Sequence, residues 1–66
     1  MSVAKIIEIT SESSKGFEDA VQQGVKRAAE TVNNVQAAWV KDQECFVKDG
    51  KITGYRVNLK VTFILE

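Results

Sequence analysis

Residues 49–66 read DGKITGYRVNLKVTFILE, and the fold follows from how that stretch alternates. Tyr55, Val57, Leu59, Val61, Phe63 and Leu65 share one parity, while Arg56, Asn58, Lys60 and Thr62 share the other. A period of two is the signature of a strand with one apolar and one polar face. The strand opens on Asp49-Gly50, the pair that a two-residue type I′ turn favours because both central positions need positive φ. The stretch is therefore the second arm of a β-hairpin, and residues 35–47 supply the first. Pairing through the turn predicts Val47 opposite Ile52, Gln43 opposite Arg56, Val40 opposite Leu59, Trp39 opposite Lys60 and Ala37 opposite Thr62.

Upstream, Phe17, Val21, Gly24, Ala28 and Val32 recur at three- and four-residue steps, with Glu18, Gln22, Gln23, Lys26, Arg27 and Glu30 between them. That spacing predicts an amphipathic helix. Ser13 or Ser14 is placed to cap its start, and Asn33-Asn34 to end it, since asparagine tolerates the left-handed conformation. Gly24 on the apolar stripe lets the sheet approach closely. Residues 3–10, VAKIIEIT, are β-branched and roughly alternating, which predicts a first strand with Val3, Ile7 and Ile9 on its apolar side. The serine-rich run 11–14 reads as a polar break after it. The fold class is α+β: a β-α-β-β unit, one three-stranded antiparallel sheet around one helix, forming a single domain over residues 1–66.

One helix covers one sheet face. The predicted register puts Trp39 on the other, with Ala37, Lys41, Gln43, Cys45, Arg56 and Lys60, beside Ile52 and Ile64. An exposed tryptophan on a bare sheet marks an interface or a binding site. Two readings stand together: Trp39 seals a contact between copies of the chain, or it is a stacking platform for a planar ligand with Arg56, Gln43 and Lys60 as polar contacts.

Composition narrows the alternatives. A chain of 66 residues buries only about 60% of the surface its unfolded form exposes. Cys45 is the lone cysteine and there is no histidine, so neither a disulfide nor a structural zinc site compensates. Self-association is the remaining common means of stabilising so small a core. Nine basic and nine acidic residues give a net charge of zero, which offers no electrostatic reason to bind nucleic acid or an anionic membrane. The apolar runs are far shorter than the ~20 residues that span a bilayer. A single thiol behind no signal-like N-terminus points to a reducing, cytoplasmic setting. Without histidine, a general base near neutral pH has to be a strongly perturbed group, and nothing pairs with Cys45, so no enzyme is expected.

The terminal stretch DGKITGYRVNLKVTFILE resembles the dodecins, small flavin-binding proteins whose last strand reads close to DGKVxxYQVTLKVxFxLE, and the opening VAKIIEITSESSKGFEDAV resembles the family's first strand, serine-rich turn and helix start. The resemblance implies a hollow homododecamer of four trimers that binds and stores a small ligand without catalysis. In the flavin-binding members a tryptophan on the second strand stacks on the isoalloxazine and a glutamine on the third strand bonds the ring's pyrimidine edge. Aligned without a gap, those positions fall at Ala37 and Arg56. Trp39 keeps the same face but sits about 7 Å further along the strand. Arginine offers only donors where glutamine offers a donor and an acceptor. Members lacking the flavin pair are associated with calcium, and the arginine resembles that branch. The resemblance thus implies a ligand pocket around Ala37, Trp39, Gln43, Arg56 and Lys60, with FMN or riboflavin as the ordinary occupant and calcium as the alternative. Calcium takes several hard oxygen ligands. Asp42 and Glu44, two residues apart on one strand face, are the candidates, and Glu8, Glu12, Asp49 and Glu66 could meet across subunits, although surface acids are in general solvated. The other reading is a purely structural assembly in which Trp39 lies at a subunit interface and no ligand binds.

Overall fold

A computed structural model describes residues 2–65 of the chain, so Glu66 lies outside the described residues. Strand β1 (Val3–Ser13) leads into helix α1 (Phe17–Thr31), followed by β2 (Val35–Lys48) and β3 (Lys51–Leu65). The three strands form one open antiparallel sheet in the order β1-β3-β2, so the most regularly alternating segment is its centre. The helix lies on one face.

The core is small and sits where the alternation predicts. Val57, Leu59 and Val61 of β3 are fully buried against Ala20 and Ala28 of the helix. Ile7, Ile9, Phe17, Val21, Val25, Val35 and Ala38 pack around them. Gly24 is the point of closest approach: a Cβ there would stand 2.9 Å from Leu59 Cδ1 and 3.0 Å from Ser11 Cβ. The buried helical stripe is Ala20, Gly24 and Ala28, a ridge of three small residues at four-residue steps flanked by Val21 and Val25. The bulkier Phe17 and Val21 of the expected stripe lie at its margin, because only the smallest residues fit where the backbones meet. Val3, expected on the apolar side, is 63% exposed, since the helix does not reach the start of β1.

Local signals behaved as their chemistry requires at the turns. Asp49 and Gly50 have φ of 52° and 76°, both positive as a type I′ turn demands, and Asn34 has φ 62° after the helix. The helix start differs. Its N-cap is Gly16, which has no side-chain capping bond, and the serine acts one step removed: Ser13 Oγ accepts from Lys15 N at 2.9 Å and donates to Asp19 Oδ2 at 2.6 Å. Asp19 and Glu18 then supply negative charge to the first turn. The expected polar break at residues 11–14 is also mostly strand: Ser11, Glu12 and Ser13 pair with Val57, Arg56 and Tyr55. Backbone pairing with a long central strand overrides the weak strand propensity of serine and glutamate.

The hairpin register is right at both ends and wrong in the middle. Val47–Ile52, Val40–Leu59, Trp39–Lys60 and Ala37–Thr62 pair as the turn predicts. Gln43 does not face Arg56; Glu44 does, and Gln43 lies opposite Val57. Two irregularities cause this. The register shifts between Phe46 and Val47, where Thr53 is the extra residue on β3, and shifts back between Val40 and Asp42, where Lys41 is the extra residue on β2. Between them every side chain of β2 changes face, as a one-residue slip requires. Asp42, Glu44 and Phe46 therefore join the face of Arg56, and Gln43 and Cys45 leave it. Ile52, expected on the Trp39 face, pairs instead with Val47, which follows Phe46 and lies on the opposite side of β2 from it.

Candidate functional site

The outer sheet face is built in rows, each with one residue from every strand. Glu8, Lys60 and Trp39 form one row, Thr10, Asn58 and Asp42 the next, and Glu12, Arg56 and Glu44 the third. Central β3 supplies the cations and the edge strands supply the acids. This pattern follows from β3 parity combined with the β2 bulge at Lys41.

Arg56 is the most constrained side chain of the face. Its Nε and Nη2 donate to Glu12 Oε2 at 3.0 and 2.8 Å, and its Nη1 donates to Glu44 Oε1 at 3.3 Å. The guanidinium also lies 4.8 Å from the centroid of the Phe46 ring. The Glu12 hydrogen bond, reinforced by the charges of both acids, holds the guanidinium pKa above its ordinary value. In the next row Thr10 Oγ1 donates to Asn58 Oδ1 at 2.8 Å and Asn58 Nδ2 donates to Asp42 Oδ2 at 3.3 Å, a relay across all three strands. Lys60 Nζ stands 5.0 Å from the centroid of the Trp39 indole, and Lys41 Nζ is 3.5 Å from Glu8 Oε2. The indole is 63% exposed.

The predicted site residues thus separate into two groups. Trp39, Ala37, Arg56 and Lys60 share the outer face, as do the candidate metal ligands Asp42 and Glu44. Gln43 is on the other side of the strand, and so is Cys45, an exposed free thiol. Sequence reasoning missed Phe46, and it took Glu12 only as an acid able to meet others across subunits, not as the neighbour of Arg56. The strand position of Glu12 lay hidden in the run read as a turn, and Phe46 reaches Arg56 only through the register shift. The acid in the i+2 pattern of β1, Glu8-Thr10-Glu12, was the signal available for the first.

This arrangement constrains what binds. A flavin edge of alternating donors and acceptors finds no match in Arg56, which carries no acceptor, and Ala37 offers no ring to stack on. The residues present do not fit an ordinary flavin site. For a hard cation the donors are of the right kind, carboxylate and amide oxygens. Among the described residues, however, no three His, Cys, Asp or Glu side chains of one chain converge as a metal site. Glu12 and Glu44 already flank a fixed positive charge. No helix among the described residues is long and apolar enough to cross a membrane.

Comparison with known proteins agrees with the fold. The Dodecin family profile matches residues 3–66. Calcium dodecin of Mycobacterium tuberculosis is 41% identical over 64 residues, covering 96% of this chain and 89% of that protein. The crystal structure of that calcium-chelating antigen, described as having a novel calcium-binding site, superimposes with a TM-score of 0.82 at 36% identity, over 98% of this chain and 93% of that one. Dodecin from Streptomyces davaonensis superimposes with a TM-score of 0.91 at 28% identity, over 98% and 96% of the two chains. A single-substitution variant of Thermus thermophilus dodecin gives 0.92 at 30% identity, over 100% and 98%. With its β-α-β-β order, its helix on one sheet face and a match across nearly all its length, the chain belongs to the dodecin family.

Proposed function

We propose that the protein is a non-enzymatic homo-oligomer, a dodecamer of trimers in the manner its family resemblance implies, that binds and sequesters a hard cation of the calcium class and does not stack flavin. The observation that carries the reading is the Glu12–Arg56–Glu44 row. It puts a fixed guanidinium, clamped by two acids, where a flavin-binding dodecin is expected to have a glutamine. The kinship to a calcium dodecin supports the same ligand class. Glu8, Glu12, Asp42 and Glu44 are the acids of this face with oxygens to contribute. Since calcium takes about 6–8 oxygens, a complete site draws on more than one copy of the chain. The solvent-exposed free Cys45 suits a reducing, cytoplasmic setting.

A second reading keeps the assembly and removes the ligand: Trp39 seals a subunit contact and nothing else binds. The exposure of so large an aromatic favours it. Size-exclusion chromatography with light scattering, run in calcium and in chelator, separates the readings. The proposed function predicts a large assembly whose thermal midpoint rises in calcium and falls in chelator. An assembly indifferent to calcium leaves the structural reading.

A further inference from the structure

The helix is much shorter than the sheet. Its 15 residues reach about 22 Å, whereas the longest dimension of the chain is 51 Å. Phe17, at the start of the helix, packs edge-on against Tyr55 with ring centroids 5.0 Å apart. Strand β1 stops at the same level, with Ser13 opposite Tyr55. Beyond that point β2 and β3 continue alone, as a two-stranded ribbon ending in the Asp49-Gly50 turn. The ribbon carries Val47 opposite Ile52, 62% and 56% exposed. A lone two-stranded ribbon is marginal in water, and an apolar pair on it costs solvation that a covering surface removes.

A matching surface lies on the flank of the helix. A groove of about 280 Å³ runs between α1 and the edge strand β1, lined by Ile7, Ile9, Gly24 and Ala28 with Gln23 and Arg27 at its rim. Because β1 is an edge strand, the groove opens sideways. The ion pair of Arg27 with Glu30, 3.4 Å and solvent-exposed, stands beside it. The hairpin tip carries Lys48, Asp49 and Lys51, so each charge of that pair meets an opposite one at the tip.

Resting on the self-assembly reading above, we infer that the hairpin tip of one copy seats Val47 and Ile52 in the α1/β1 groove of the next, with Asp49 toward Arg27 and the tip lysines toward Glu30. The two surfaces differ, so the contact is head-to-tail, and within a closed assembly it recurs around a ring. It buries both apolar features at once and supports the ribbon where the chain's own helix stops.

Two variants and one crosslink test this. Val47→Asp with Ile52→Asp alters only exposed tip positions, and Gln23→Trp fills the groove from an exposed helix position without touching the tip. Light scattering should show both losing the wild-type mass, while circular dichroism keeps the helix and sheet bands. Carbodiimide crosslinking of an isotope-mixed wild-type assembly should join Glu30 of one chain to Lys48 or Lys51 of another. Both variants keeping the wild-type mass, or crosslinks that tie the tip elsewhere, overturn the docking and leave the assembly reading intact. A wild-type protein that runs as a single chain overturns both.

Discussion

Arg56 on the central strand lies between Glu12 on one edge strand and Glu44 on the other, donating at 2.8 and 3.0 Å to the first and 3.3 Å to the second. All three strands of the outer face are thus joined by one guanidinium, at the level where the helix begins on the opposite face. Replacing it leaves two carboxylates across an unfilled row. Arg56→Gln should lower the thermal midpoint, and added salt should narrow the difference, because charges this exposed are screened. A salt-independent difference in differential scanning fluorimetry would show that stacking on Phe46, rather than the two acids, is what Arg56 contributes.

Gly24 sets the distance between helix and sheet. Gly24→Ala gains up to about 1 kcal/mol of helix propensity, but its methyl must displace Leu59 Cδ1 and Ser11 Cβ, an overpacking that costs about 1–3 kcal/mol. The Ser11 contact is to a Cβ, which has no free end to swing aside, so the cost wins. Urea denaturation should give a lower midpoint for Gly24→Ala than for wild type.

Leu59 and Val40 face each other on neighbouring strands but not in equal burial: Leu59 is fully buried and Val40 is 38% exposed. Leu59→Ala should cost about 2–5 kcal/mol. Val40→Ala should cost well under half of that. Comparable losses in equilibrium unfolding would mean that other copies of the chain bury Val40 as deeply as the helix buries Leu59.

Ser13 depresses the pKa of Asp19 below its ordinary value through the 2.6 Å hydrogen bond to its carboxylate. A depressed folded-state pKa stabilises the fold above the unfolded-state pKa of Asp, and this contribution is lost as pH falls through the depressed value. Ser13→Ala should raise the Asp19 pKa in a carboxyl-detected NMR titration and reduce the acid sensitivity of stability. An unchanged Asp19 titration would refute the link.

How much was legible follows from which residues were periodic. The alternation of β3 and the Asp-Gly turn fixed the β2–β3 hairpin, the buried triplet Val57, Leu59 and Val61, and the placement of Trp39 against Lys60, whereas the pairing of β1 with β3 came only from the structure. The two register shifts were not legible, because neither Thr53 nor Lys41 differs in type from a regular strand residue. Those shifts decide the candidate site, exchanging Gln43 for Glu44 opposite Arg56. The pairing of Glu12 with Arg56 was not legible for a related reason: a serine-rich run has turn composition, and only backbone pairing with the distant β3 makes it a strand. Local pattern therefore sufficed for the core, while the outer face depended on pairing between distant segments.

The central claim, a dodecin-type assembly that takes a calcium-class cation in place of a flavin, is tested most directly by equilibrium dialysis of the assembled protein against calcium and, in a matched chamber, against riboflavin. The account predicts calcium retained by the protein and released to chelator, reduced in Asp42→Asn and Glu44→Gln, with riboflavin equal on both sides of the membrane. Riboflavin concentrated by the protein, with calcium evenly distributed, would contradict it.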